Sequence, residues 1–175
     1  MAAERPLSSA HALGTNAPAL EAARAWAEQR AFLLYEGKAV AHRSCGVAIA
    51  ETFGRDGRPY VGLRRGGLTG EATCGAIGAG VLVLGEVFGA PDVASPSTPE
   101  LVAAVQRYHA LWRERAQLGQ ARTILCNDLT GQFAEFASPE RHGFCTALAT
   151  VVAGCVAQVL VEMDVDVARL PAPDR

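Results

Sequence analysis

Residues 144–161 read FCTALATVVAGCVAQVLV, eighteen positions without a charge. A run of that length is either a membrane span or a helix buried on every side. Ala, Gly, Cys and Thr crowd it, Gln158 interrupts it, Arg141 and His142 precede it, and Glu162, Asp164 and Asp166 follow it. A lone span at the minimum length is a marginal hydropathy signal. We therefore read the run as the central helix of a protein core, from about His142 to Met163, and expect no membrane partner.

Working back from this helix, Ser138, Pro139 and Glu140 form a helix start: a hydroxyl cap, a proline in the first turn and an acid at the positive end of the dipole. Thr98, Pro99 and Glu100 repeat that pattern. They open a helix whose stripe of Leu101, Val105, Tyr108 and Trp112 runs until Gly119. Residues 72–88 are strongly apolar and small, a third helix bounded by Gly89 and Pro91. Ser44 can cap a short helix through Val47, Ala48 and Ile49 to Phe53. Leu20, Ala23, Ala27, Ala31 and Leu34 mark an amphipathic first helix that Gly37 closes. Residues 54–70 hold six glycines, a proline and four arginines, with only a brief Val61-Gly62-Leu63 able to extend, and read as a structured loop. No alternating segments of apolar and polar residues organise a sheet. The expected fold is all-α, a compact single-domain bundle of about five to six helices with a Gly/Arg-rich loop. Its helical domain covers residues 17–164, between a flexible leader at 1–16 and a tail at 165–175.

The chain has 175 residues, half of them apolar, which suits one sizeable core. Its 16 basic and 18 acidic residues leave a net charge of −2, so no surplus positive charge exists to neutralise a phosphate backbone. Nucleic acid is not an expected partner. The N-terminal MAAERPLSSAHALGTNAPAL lacks the charged-then-apolar order of a secretory signal, and the chain reads as cytoplasmic. In that reducing compartment five cysteines point to redox or metal chemistry more than to structural disulfides.

Cys45, Cys74 and Cys145 fall near expected helix starts, where amides and dipole favour the thiolate, while Cys126 lies in RTILCNDLTG (residues 122–131), a segment of open conformation. Cysteine is also a common buried apolar residue, and no CxxC pair makes a local metal knuckle. One pattern recurs: His42 and His142 each stand three residues before a cysteine, Cys45 and Cys145, either as metal neighbours or, protonated, as partners of a thiolate. Arg64, Arg65, Gly66 and Gly67, followed by Gly70 and Glu71, can form a basic loop over the start of the third helix, holding an anion or a thiolate; a solvated turn competes with that reading.

The stretch GGLTGEATCGAIGAGVLVLGEVFG (residues 66–89) resembles the signature of the C_GCAxxG_C_C family of redox-active proteins. By order of motifs the resemblance runs from about residue 30 to 162. It matches the family's four cysteines to Cys45 in SCGVAIAETFG, Cys74, Cys126, and Cys145 in HGFCTALATVV, with Cys155 as a competing thiol for the last place. It implies cysteine chemistry of one of two kinds. In the first the thiols cycle between dithiol and disulfide, with Cys74 as preferred nucleophile and an unidentified redox protein as partner. In the second, Cys45, Cys74, Cys126 and Cys145 ligate an iron–sulfur cluster, less readily zinc, with His42 and His142 as neighbours. A third reading makes the chain a non-catalytic helical subunit of a larger complex, with the cysteines as filler; a homo-oligomer or a larger redox complex is the assembly expected otherwise.

Overall fold

The computed structural model describes residues 17–167 and Leu170. Six α-helices and one 3-10 helix follow in order: α1 (Ala17–Glu36), α2 (Cys45–Thr52), the 3-10 helix (Arg58–Leu63), α3 (Gly75–Phe88), α4 (Pro99–Arg115), α5 (Cys126–Thr130) and α6 (Pro139–Glu162). The chain forms the all-helical bundle expected of it, with no strand among the described residues and one isolated bridge between Thr73 and Leu125. The leader expected at residues 1–16 lies outside the described residues. Of the expected tail, Val165, Val167 and Leu170 pack against the core.

Helix α6 is the axis. It packs on α1, α2, α3 and α4, and Leu148, Val152, Val156 and Leu160 point into the shared core. It is long and apolar enough to cross a membrane, with a mean hydropathy of 2.1 over eighteen residues, but 67% of that window is buried inside the protein. Its start is built as the sequence implies: Ser138 Oγ accepts from the Arg141 amide at 3.2 Å, a cap contributing about 1 kcal/mol. Thr98 caps α4 in the same way at 3.1 Å and donates to Phe88 O at 2.6 Å, tying the end of α3 to the start of α4.

Small residues set the spacing. Ala23, Ala27 and Ala31 form the buried stripe of α1, and Gly154 of α6 faces Glu28 so closely that a Cβ there would stand 2.3 Å from its carboxylate. In α3, Gly80 lies under the Tyr108 ring, whose hydroxyl donates to Ile77 O at 2.9 Å. The glycines of α3 weaken it as an isolated helix and allow this approach.

The structure departs from the sequence reading at element ends. Helix α4 stops at Arg115, because Ala116 turns extended, three residues before the positive-φ Gly119. Residues Val61–Leu63 belong to the 3-10 helix, anchored by the buried Tyr60, whose hydroxyl donates to Glu86. Ser44 stands at the N-cap of α2, yet its hydroxyl makes no cap bond.

A Cβ at Gly80 would lie 2.4 Å from the Tyr108 ring and hydroxyl. Gly80→Ala is expected to cost about 1–3 kcal/mol through overpacking, read as a lower urea midpoint. An unchanged midpoint would show that Tyr108 moves freely there.

Candidate active site

Each of the four cysteines is delivered by a different element. Cys45 is the first residue of α2, Cys74 the N-cap residue of α3, Cys126 the first residue of α5, and Cys145 sits in the second turn of α6. The helix-start group is therefore Cys45, Cys74 and Cys126. Cys145 lies one turn further in, since α6 begins at Pro139 as its cap implies, and Cys126 joins the group because α5 was too short to show a period.

All four line one cavity of about 420 Å³, together with Tyr35, His42, His142, Arg64, Arg65, Arg141 and Phe136. The walls are fixed by close contacts. Gly75 admits Cys45: a Cβ at that position would stand 2.6 Å from Cys45 Sγ and 2.2 Å from Leu63 O. Gly66 admits Cys126, with a hypothetical Cβ 2.5 Å from the cysteine's own. Backbone bonds staple the two segments: the Cys74 amide donates to Ile124 O at 2.8 Å, the Cys126 amide to Ala72 O at 3.0 Å and the Asn127 amide to Gly70 O at 2.8 Å.

The Gly/Arg loop is a left-handed turn. Arg65, Gly66, Gly67 and Leu68 have φ of 50, 56, 71 and 72°, and the Leu68 amide closes the turn on Arg64 O at 2.7 Å. At the two non-glycine positions this conformation costs about 1–2 kcal/mol each. What the turn gains is placement: the Arg65 amide faces Cys45 Sγ while the Arg65 guanidinium lies 4.8 Å from the centre of the Phe136 ring. Arg141 approaches the same ring at 4.4 Å.

Burial, not the helix dipole, dominates the thiols. Cys74 is 8% exposed, and desolvation pushes its thiol up to about 12 although the Ala76 and Ile77 amides face it. Cys126 is pushed up to about 11, first by burial, then by Cys45 and Cys145, with Arg65 and Arg141 opposing. Burial also raises Cys45, against the amides of Arg65 and Gly46. At Cys74 burial thus opposes the helix start that the sequence singled out for a nucleophile. Cys45 and Cys145 are the half-buried pair. Cys155 is fully buried outside the cavity, facing Arg115 and Arg24, with its thiol raised by burial to about 11.

Three rings close one wall. Tyr35 stacks on His142 at 5.4 Å and meets His42 edge-on at 5.0 Å. The Tyr35 hydroxyl lies beside Cys145 and Cys45, and burial above all, then these neighbours, keeps it protonated. His42 Nδ1 meets Tyr35 O, and His142 Nε2 meets Glu36 O at 3.1 Å. A carbonyl only accepts, so those nitrogens carry the hydrogens, and the other nitrogen of each ring is the proton acceptor. Tyr35, Arg141 and Phe136 carry no motif and were missed in the sequence; only the adjacency of Arg141 to His142 hinted at one of them.

Four thiols are a suitable donor set for an iron–sulfur cluster. Among the described residues, however, no three His, Cys, Asp or Glu side chains converge as a group that could hold a metal ion. The six residues assigned to a metal by the sequence share a cavity without forming such a group.

A helical bundle that gathers four sequence-distant cysteines into one pocket defines a cysteine-pocket protein. The family model described as "Putative redox-active protein (C_GCAxxG_C_C)" matches residues 38–159, and the chain belongs to that family. No curated protein and no solved structure matches it.

Thiolate fraction falls about tenfold for each unit by which a thiol is raised. Iodoacetamide at about pH 8 is expected to label the half-buried Cys45 and Cys145 before the buried Cys74, Cys126 and Cys155, read by peptide mass spectrometry. Early labelling of Cys74 would contradict the burial order. The raised thiols also set an alkaline limit. Cys74, Cys126 and Cys155 favour the fold while protonated, a contribution complete below the unfolded thiol value of about 8.5 and lost as pH rises through about 11 to 12. The urea midpoint should fall over that range, less steeply in Cys155→Ala.

Proposed function

We propose that the cavity is a dithiol–disulfide redox centre, with Cys45 and Cys145 as the exchanging pair and Cys74 and Cys126 as deeper thiols to which the disulfide can pass. One observation carries the reading: cysteines from α2, α3, α5 and α6, separated by up to a hundred residues, open into a single cavity. Family membership supports redox activity in general. The choice of Cys45 and Cys145 rests on exposure, since Cys74 and Cys126 are buried deeper in the cavity.

In this reading Cys145 is the attacking thiol. The protonated Tyr35 hydroxyl donates to its sulfur as charge develops, and the unbound ring nitrogen of His142, one turn earlier on the same face of α6, takes the proton. Arg141 adds positive charge at the same wall. Cys45, facing the Arg65 amide, is the resolving thiol.

Anaerobically purified protein is expected to lose two thiols reversibly on mild oxidation, read by thiol titration with iron, zinc and acid-labile sulfide measured on the same sample. Cys45→Ala or Cys145→Ala should abolish the reversible loss, and Cys155→Ala should retain it. Stoichiometric iron with sulfide would overturn the dithiol reading in favour of a cluster, and an inert, metal-free protein would favour a helical subunit of a larger assembly.

A further inference from the structure

The cavity has a charge of its own. Arg64, Arg65 and Arg141 line it with His42 and His142, and no aspartate or glutamate does. The chain as a whole has a net charge of −2, so this concentration of positive charge is local. The ion pairs among the described residues involve Arg24, Lys38, Arg43, Arg55, Arg58 and Arg107, and none of the three cavity arginines. Two of them share one aromatic ring: Phe136 receives Arg65 at 4.8 Å and Arg141 at 4.4 Å from its centre. Like charges gathered at one opening without a counter-charge repel, and an anion entering between them relieves that repulsion.

The arginines are also tied to the sulfurs. The left-handed turn that carries Arg65 rests on Cys126 through Gly66, and the same turn aims the Arg65 amide at Cys45. Arg141 is one helical turn before Cys145 on α6. Their fields reach inside, since Arg65 and Arg141 both act on Cys126. An anion held by these guanidiniums lies against the thiols. A cavity of about 420 Å³ is of a size for a small molecule.

We infer that the substrate of this cavity is a small disulfide bearing carboxylates, held by Arg64, Arg65 and Arg141 against Cys145 and Cys45. This rests on the dithiol reading above. The Cys145 thiolate attacks one sulfur of the bound R–S–S–R, forming a mixed disulfide and releasing R–S⁻, which takes up the proton that Cys145 gave to His142. Cys45 then attacks the Cys145 sulfur of the mixed disulfide, releasing the second R–S⁻ with the proton of the Cys45 thiol. Two protein thiols and one R–S–S–R become one Cys45–Cys145 disulfide and two R–SH. Two electrons pass from protein to substrate.

Three disulfides of similar size separate charge from reactivity: 3,3′-dithiodipropionate as dianion, 2-hydroxyethyl disulfide as neutral and cystamine as dication. Single-turnover rates with the reduced full chain, each divided by the rate of 2-mercaptoethanol with the same disulfide, are expected to rank dianion, neutral, dication, with about tenfold between the first two at low salt. The dianion-to-neutral ratio should fall toward one with added salt, in Arg65→Gln and in Arg141→Gln, and persist in Arg113→Gln, which lies outside the cavity. Equal corrected rates for the three disulfides, with a disulfide still formed, would overturn the substrate class and leave the dithiol centre standing. Failure to react with any of them would overturn both.

Discussion

Two backbone hydrogen bonds hold this site together. The Cys74 amide donates to Ile124 O and the Cys126 amide to Ala72 O, a reciprocal pair that locks the start of α3 to the start of α5 across some fifty residues of chain. Buried amides need partners, and here the requirement falls on the two segments that carry cysteines. With Asn127 bonded to Gly70 O, the same pairing fixes the end of the Gly/Arg loop. The loop then has no freedom to relax its left-handed turn, and Arg65 and Leu68 are held at positive φ by what surrounds them.

That constraint explains which glycines the site requires. Gly66, Gly70 and Gly75 each face a neighbour at a distance no side chain tolerates: Cys126, Asn127, and Leu63 O with Cys45 Sγ. They are places where backbone must approach a cysteine-bearing segment. Gly80 serves the core instead, admitting the Tyr108 ring. The glycines of α3 thus divide by function along the helix, its first turn shaping the thiol pocket and its middle setting the distance to α4.

Helices α4 and α6 were legible because each begins with a cap that forms the bond its type implies, Thr98 and Ser138. The 3-10 helix and α5 were not, since five or six residues complete too little of a turn to show a period. The four cysteines came from the resemblance, and their convergence came only from folding. Nothing in the sequence marks Tyr35 as a cavity wall, because its role depends on His42 and His142 arriving from two other segments. The left-handed turn was hidden for a similar reason: glycines permit positive φ, but nothing local demands it of Arg65 or Leu68.

The thiols show how two local rules compete. A helix start favours the thiolate and burial disfavours it, and at Cys74, where amides of Ala76 and Ile77 face the sulfur, burial still prevails. The consequence is a gradient across one cavity, from half-buried Cys45 and Cys145 to buried Cys74 and Cys126. The arginines lie on the open side of that gradient, where Phe136 is exposed. The arginines and the half-buried thiols thus share the open end of one pocket. The strained turn is what joins them, since Arg65 offers its side chain to the opening and its amide to Cys45.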